Sequence, residues 1–464
     1  MSTDEWHYLA THVPVVWLVL GLCMLVLLLV GLAWLSSTGW AQRRLSGRRM
    51  TRQWPVLAHE CGLTLSGWSA RTSTRSADVE VVVPFWISTS GHRFGFVARF
   101  ALLTGQTLEG WQQAAERIAV GWGARRVLIR QDTARSVALT ALMVDPLAQP
   151  VPLDTTPLPG LLAVPVGCRD DGSPWVLDLG AVPHWLIVGA TGSGKSTLLN
   201  ALVCSLAPRP VALVGIDFKG GVELAPYAPR LSRLAVDRTE ALPLLRALVR
   251  LADTRRTLLR ERGARSVWDL DPSVRPVPVV LVVDEVAELF LDGGTGRAEA
   301  SEILGCSSAI LRLAQQGRAL GIHLVVCGQR VSGDLGRGVT ALRAQLSGRV
   351  CLRVNDPDTA RMCLSDVAIE AVHAAERLDP TRPGLAVVSD AETGWAVARG
   401  AAVTLAHARQ AAEDTAGLRV PWEHLVPASG LPVVAAGAAD IPELSPHISA
   451  LLTKAAAEQG AGRG

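Results

Sequence analysis

The chain has 464 residues, enough for two or three domains, and its 49% hydrophobic content supports packed cores and argues against wholesale disorder. A net charge of only +3 excludes a chain that is basic throughout, so any surface for nucleic acid must be local. The eight cysteines include no C-x-x-C pair, which excludes common zinc frameworks and favours small buried thiols in a reducing compartment.

Lysine is scarce in this chain. Of the 45 basic side chains only three are lysines, namely Lys195, Lys219 and Lys454. A lysine in so arginine-rich a chain indicates a site that needs a compact ammonium group on a flexible stem. Lys195 and Lys219 both fall in motifs of the nucleotide site predicted below, and we expect Lys219→Arg not to be silent.

The N-terminal region predicts a membrane anchor. Residues 13–35 form a run of 23 residues without a charge, long enough for a helix to cross the hydrocarbon core. The run is too long for an ordinary signal peptide, and a buried core helix is the other alternative. Five arginines follow within residues 36–60, a basic juxtamembrane linker. We therefore predict a single-pass protein of the cell membrane, with a short extracytoplasmic tail (1–12) and the bulk of the chain cytoplasmic.

A small α/β domain is predicted over 61–145. Its order is β-β-α-β-β, with an amphipathic helix over 107–122 and strands over the ranges 79–87, 93–100, 127–130 and 137–142. The tryptophans of the helix are expected in the core, although a base-stacking platform is an alternative. Residues 146–165 contain six prolines and are typical of a stiff connector.

The region 166–400 predicts a parallel sheet covered on both faces by helices. Short, nearly continuous apolar runs are typical of buried parallel strands, and they occupy 185–188, 211–216, 279–283, 324–327 and 350–354. Helical stretches such as 242–261 and 303–320 lie between them. The expected fold class is thus α/β, and a C-terminal tail is predicted over 401–464.

A complete phosphate-binding loop follows the run WLIV and precedes an apolar helix. Its glycines let backbone N–H groups wrap phosphates at a helix N-terminus, its lysine reaches the β- and γ-phosphates, and its serine hydroxyl binds Mg²⁺. The predicted ATP-binding residues are Gly189, Ala190, Thr191, Gly192, Ser193, Gly194, Lys195, Ser196 and Thr197.

Polar residues at two later strand ends extend this site. Asp284 and Glu285 follow Val279–Val283. We predict that Asp284 joins Ser196 in the Mg²⁺ shell and that Glu285 polarises the attacking water, which favours ATP hydrolysis over phosphoryl transfer by a kinase. Gln329 follows the run 324–327. It is a candidate sensor of the γ-phosphate, or a loop amide with a structural role.

Four stretches resemble the FtsK/SpoIIIE-type DNA translocases, and among them the actinobacterial plasmid-transfer Tra proteins. They are HWLIVGATGSGKSTLLNAL, GIDFKGG, VVLVVDEVAEL and ILRLAQQGRALGIHLVVCGQR, in the order the family has them. The resemblance covers roughly residues 160–400. It implies a RecA-like P-loop ATPase motor over 166–400 that forms a hexameric ring and pumps double-stranded DNA, using ATP and Mg²⁺. Since the tail shows no basic recognition helix, we expect little sequence preference.

The resemblance also implies an arginine that completes the neighbouring subunit's site. The matching position is Arg349, expected to project outward at the ring edge. An ion pair within its own subunit is the alternative for Arg349, and the rival candidates are Arg312, Arg318, Arg330 and Arg353.

Two departures from the cell-division members of this family favour transfer of plasmid or mobile-element DNA over chromosome pumping at septa. The chain has one predicted span, and its tail shows no basic recognition helix. The alternatives are a type VII-like protein secretion ATPase and a type IV coupling protein. The former carry several motor domains in tandem, and the latter tend to insert a helical domain between the two nucleotide motifs.

Overall fold

The computed structural model describes Met24 and the ranges 40–68, 79–154, 156, 158–291, 294, 296–330, 338–364, 366–390 and 394–426. The chain divides into two compact units, Met1–Pro146 and Leu147–Gly464. Across the ranges just given, no helix is both long and apolar enough to cross a bilayer. The predicted span 13–35 lies outside the described residues apart from Met24, so the anchor and its orientation stay predictions.

Within residues 40–68 and 79–146, the first unit contains two helices and six strands. They are α1 (Trp40–Glu60), β1 (Leu65–Trp68), β2 (Val79–Val82), β3 (Trp86–His92), β4 (Gly95–Ala101), α2 (Leu108–Trp122), β5 (Arg126–Thr133) and β6 (Ser136–Leu142). Strands β1 and β2 form an antiparallel pair, and the other four form an antiparallel sheet in the order β3-β4-β6-β5. This sheet with α2 matches the predicted β-β-α-β-β order.

Aromatic side chains fill the core of the first unit. Trp111 and Trp122 of α2 are buried, so the prediction that these tryptophans belong to the core is confirmed. Trp54 of α1 joins them, with its ring centroid 4.1 Å from that of Phe100 and 5.8 Å from that of Trp111. Its indole Nε1 donates a hydrogen bond to the carbonyl oxygen of Pro84 at 2.9 Å.

One predicted strand of this unit is wrong in detail, and the structure adds a helix to the predicted linker. The predicted strand 79–87 is divided, because β2 ends at Val82 and β3 begins at Trp86. Pro84 lies between them and cannot donate a hydrogen bond to a strand ladder. The predicted linker 36–60 is helical from Trp40 onward, where α1 buries Met50, Trp54 and Ala58 at the four-residue spacing of one helix face.

The second unit contains ten strands and eight α-helices within the described residues. They are β7 (Ala163–Arg169), β8 (Pro174–Asp178), β9 (His184–Val188), α3 (Lys195–Leu206), β10 (Ala212–Ile216), β11 (Leu231–Ala235), α4 (Arg238–Glu261), β12 (Val279–Val283), α5 (Arg297–Gln316), β13 (Ile322–Gly328), α6 (Val339–Gln345), β14 (Gly348–Leu352), α7 (Pro357–Leu364), α8 (Ile369–Glu376), β15 (Leu385–Asp390), β16 (Gly394–Gly400), α9 (Leu405–Asp414) and α10 (Trp422–Leu425).

All ten strands belong to one sheet, in the order β11-β10-β12-β13-β9-β14-β15-β16-β7-β8. The first six are parallel, as the apolar runs predicted, and the last four continue the sheet antiparallel. Two hydrophobic cores lie on its opposite faces. The fold is therefore mixed α/β with a large parallel sheet, and the antiparallel extension was not predicted.

The sheet extends into segments that were predicted to be connector and tail. Strand β7 begins at Ala163, within the predicted connector 146–165, and Pro165 lies at an irregularity in its pairing with β8. The guanidinium of Arg399 donates to the carbonyl oxygen of Leu147 at 2.9 Å, which attaches the start of the connector to β16. Beyond β16, helix α9 buries Ala408 and Ala412, so the first part of the predicted tail is packed on the sheet unit.

The contact between Gly348 and Trp185 gives a test of this packing. A Cβ at position 348 would lie 2.3 Å from a ring atom of Trp185, its neighbour in the β9–β14 register. We expect Gly348→Ala to lower the free energy of unfolding by about 1–3 kcal/mol, because the buried indole must shift. Gly417→Ala is the control, since no atom lies within 4 Å of the added methyl group. Equal urea denaturation midpoints for the two variants would contradict this account.

Candidate nucleotide-binding site

The loop that joins β9 to α3 carries the predicted phosphate-binding glycines. Gly192 and Gly194 have φ angles of 74° and 98°, in the left-handed region that other residues adopt only under strain. A Cβ on Gly194 would also lie 2.5 Å from the backbone nitrogen of Gly384. Glycine is therefore required at 194 by both the backbone conformation and the close packing.

Hydrogen bonds attach this loop to the adjacent strands and to the segment before β15. The backbone bonds join Gly189 N to Gly328 O at 3.2 Å, Ala190 N to Arg353 O at 2.9 Å and Gly384 N to Ser193 O at 2.8 Å. The Arg353 side chain adds a further bond, in which Nη2 donates to the carbonyl oxygen of Thr191 at 2.9 Å. The loop is thus held in shape from several sides.

The lysine and the two acids predicted from separate motifs meet at the carboxyl ends of the parallel strands. Lys195 Nζ lies 3.6 Å from both Asp284 Oδ1 and Glu285 Oε2, and it donates to the carbonyl oxygen of Asp284 at 3.3 Å. All three residues are buried. The strand order causes this meeting, because only β13 separates the strand before the loop from the strand before the acids.

A second lysine reaches the same carboxylate from the end of β10. Asp217 is fully buried there and accepts the backbone N–H groups of Lys219, Glu223 and Leu224 at 3.0, 2.8 and 2.9 Å. This arrangement folds the 217–224 segment so that Lys219 Nζ lies 2.8 Å from Asp284 Oδ2. The segment that the sequence marked as Asp-Phe-Lys therefore belongs to the site.

Glu285 is held by its neighbour on the next strand. Its Oε1 accepts the backbone N–H of Gln329 at 3.3 Å. Burial raises the pKa of the Glu285 carboxyl, opposed by the charge of Lys195 and by this hydrogen bond. Gln329 is exposed, so the structure brings its backbone to Glu285, and the sensor role of its side chain stays a prediction.

The residues at this edge fit a magnesium nucleotide. Ser193 Oγ is buried and, within the described part of the chain, has no hydrogen-bond partner. The N–H groups in the first turn of α3 have no acceptor within the helix, and they form the positive end of its dipole. Ser196 lies in this turn, and its hydroxyl with the Asp284 carboxylate supplies the oxygen ligands that Mg²⁺ prefers. These groups would hold the phosphates and the ion.

Comparisons with known proteins agree with this site. The sequence profile of the FtsK/SpoIIIE family matches residues 146–276 and 271–333. The transfer protein TraSA of Streptomyces ambofaciens is 39% identical over 379 residues, which cover 78% of this chain and 90% of that protein. The chain belongs to the FtsK/SpoIIIE family.

Two further proteins resemble parts of this FtsK/SpoIIIE chain, one in sequence and one in structure. The DNA translocase FtsK of Chlorobaculum tepidum is 35% identical over 206 residues, which cover 40% of this chain and 24% of that protein. The solved structure of the pCW3 conjugation coupling protein TcpA, a monomer form with ATPγS, has a TM-score of 0.50 at 21% identity. That likeness covers 76% of this chain and 95% of TcpA, and it shows the shared fold.

Arg349 of this FtsK/SpoIIIE chain does not project outward, so that expectation is wrong. The residue is only 4% exposed, and it lies on β14, an interior strand between β9 and β15. Its Nη2 donates to Asp366 Oδ2 at 3.3 Å. The geometry favours the alternative, an ion pair within its own chain, and a role toward a neighbouring subunit stays a prediction.

Sequence reasoning missed two residues that contact the phosphate loop of this FtsK/SpoIIIE chain. Arg353 was considered only as a rival to Arg349, yet its backbone and side chain both bind the phosphate loop. Gly384, with a φ of 87°, brings the chain before β15 against Gly194. The only local signal was the dipeptide Pro383-Gly384, which predicts a turn but not its partner.

The Arg353 contact generates a test. We expect Arg353→Ala to weaken ATPγS binding by about fivefold, the scale of one partly exposed hydrogen bond, because Thr191 loses its restraint. The control is Arg361→Ala, which removes an exposed guanidinium on α7 that pairs with Asp358. Calorimetric titration measures both. If the two variants bind ATPγS equally well, Arg353 does not organise the loop.

Proposed function

We propose that this chain is an ATP-driven translocase of double-stranded DNA that moves plasmid or mobile-element DNA between cells. The observation that carries the proposal is the meeting of Lys195, Asp284 and Glu285 beside the phosphate loop. This constellation lies in a chain that matches 90% of a protein named for transfer. A family member with a complete nucleotide site is suited to couple ATP hydrolysis to movement.

Each residue at the strand ends has a proposed role in hydrolysis. Lys195 would bind the β- and γ-phosphates, and Ser196 and Asp284 would hold Mg²⁺. The ion, when bound, supplies positive charge that neutralises the phosphate oxygens. Glu285 would orient the attacking water and accept its proton, and a pKa raised by burial makes it a better base than an exposed carboxylate. Gln329 would contact the γ-phosphate.

The comparisons support transfer more than chromosome pumping at septa. The match to TraSA extends over most of both chains, whereas the match to FtsK covers 24% of that protein. The likeness to FtsK is thus confined to a matched stretch of 206 residues, whereas the likeness to TraSA covers 379 residues. Pumping of chromosomal DNA, protein export of the type VII kind and a type IV coupling role are the alternatives that experiment must separate.

The proposal includes a membrane anchor and a ring. The apolar run 13–35 and the arginines after it support a single-pass protein with its motor in the cytoplasm. Membership of the family supports a homo-oligomer, with a hexamer as the proposed state. In such a ring Arg349 would act across a subunit boundary only if its ion pair with Asp366 opened.

The role of Glu285 predicts a separation of binding from turnover. Glu285→Gln keeps the size of the side chain but loses the base, so we expect Mg·ATP to bind while hydrolysis slows at least roughly 100-fold. Phosphate release and calorimetric titration on the full chain measure the two properties.

Lys195→Ala is the companion variant, and we expect it to lose ATP binding itself. Glu288→Gln is the matched control, because it neutralises a carboxylate three residues further along the same segment. Near-normal turnover in Glu285→Gln would remove Glu285 from the catalytic role.

The substrate proposal predicts that double-stranded DNA stimulates ATP hydrolysis. Binding should be electrostatic and largely indifferent to sequence. If six or more phosphates are contacted, raising salt from 50 to 200 mM should weaken binding by about a thousandfold. The measurement is ATPase rate and DNA affinity for duplexes of unrelated sequence at several salt concentrations.

Single-stranded DNA of equal length is the comparison, and Lys195→Ala is the control for hydrolysis. Stimulation by single strands alone would favour a coupling role. No response to either nucleic acid would favour protein export. A short sequence bound far more tightly than random duplex would contradict the proposed indifference to sequence.

A further inference from the structure

The Asp284 carboxylate faces two ammonium groups. Lys219 Nζ lies 2.8 Å from Oδ2, and Lys195 Nζ lies 3.6 Å from Oδ1. Asp284 is fully buried, so its charge depends on these partners more than a surface carboxylate would. Lys195 has a proposed role in binding the phosphates. The proposed reaction assigns no role to Lys219.

The backbone of Lys219 is held in place by hydrogen bonds, whereas its side chain is long and partly exposed. The buried carboxylate of Asp217 accepts the Lys219 N–H and also binds two later residues of the same segment. In contrast, the Lys219 side chain is 37% exposed and has four flexible methylene groups. A change of partner at Nζ therefore need not disturb the fold of the segment.

A second carboxylate lies within reach of the Lys219 ammonium group. Glu223 Oε1 is 3.8 Å from Lys219 Nζ, four residues further along the same segment, and its side chain is 25% exposed. Burial alone would lower the pKa of Lys219, but the hydrogen bond and charge of Asp284, with the charge of Glu223, raise it overall. The ammonium group can leave Asp284 and keep an anionic partner.

We propose that Lys219 is a positioning residue that occupies the metal-binding carboxylate as a placeholder cation and moves to Glu223 when a divalent ion binds Asp284. The proposal rests on the proposed Mg·ATP site. Lys219 holds the Asp284 carboxylate in place before the ion arrives, and its positive charge lowers the affinity for a free divalent ion. The ion and the nucleotide consequently bind best together. The negative charge of the phosphates attracts the ion and offsets the cost of displacing Lys219 from Asp284.

Lysine suits this task better than arginine. The ammonium group forms a single strong contact and can exchange partners by rotation of its stem. A guanidinium would bind both carboxylate oxygens in a forked geometry and be harder to displace. This difference accounts for a lysine at position 219 in a chain that has only three lysines.

The test measures Mn²⁺ binding to the full chain without nucleotide. Binding is followed by the loss of the electron paramagnetic resonance signal of free Mn²⁺. We expect Lys219→Gln to bind Mn²⁺ about fivefold tighter, the scale of one unit charge at about 4 Å in a high-dielectric surrounding. Lys219→Arg should bind no tighter than the unchanged protein. Arg260→Gln, which removes an exposed charge in the last turn of α4, should change nothing. Equal or weaker binding by a folded Lys219→Gln overturns the proposal.

A double-mutant cycle tests the proposed movement of the Lys219 ammonium group to Glu223. We expect Glu223→Gln to weaken Mn²⁺ binding when Lys219 is present, because the displaced ammonium loses its second partner. The same change should have little effect in the Lys219→Gln background. Equal weakening in both backgrounds means that Glu223 acts directly on the ion, which overturns the displacement route.

The experiment also separates this proposal from the proposed function. If the unchanged protein binds neither Mn²⁺ nor ATPγS, the Mg·ATP site itself is refuted and the role of Lys219 falls with it. If it binds both and the Lys219 variants do not differ from it, only the placeholder role is refuted.

Discussion

The parallel register that places β9 between β13 and β14 is the constraint on which the nucleotide edge depends. The hydrogen bonds from Gly189 and Ala190 extend these two ladders beyond the strands and into the phosphate loop. A slip of one residue in either ladder would turn every side chain of the strand to the opposite face. Both faces are buried, with Trp185 on one and Leu186 on the other, so a slip would disrupt two cores at once.

Burial sets the electrostatics of the strand ends. Lys195, Asp284 and Glu285 are removed from water, and buried charges of this kind are tolerated only when they are paired and hydrogen-bonded. The ammonium groups of Lys195 and Lys219 both lie beside Asp284, Lys195 also lies beside Glu285, and Lys219 also lies beside Glu223. Each buried carboxylate of the strand end therefore has a cation beside it.

Much of the site could be predicted because its motifs are local. The loop 189–197 and the strand ending at Asp284 are contiguous patterns, and a parallel sheet necessarily gathers such strand ends at one edge. The contacts of Arg353 and Gly384 could not be predicted, since they depend on where the chain returns through space. Arg349 was misjudged for a related reason, because its contact with Asp366 depends on where the chain returns after β14. Pro84, by contrast, was a visible strand breaker in the sequence.

The aromatic core of the first unit has a mechanical consequence. Trp54 lies among other rings and also hydrogen-bonds to the segment before β3, and Met50 and Ala58 are buried on the same face of α1. Pulling on the Trp40 end of α1 would have to disrupt this aromatic core and the hydrogen bond before the helix could leave its sheet.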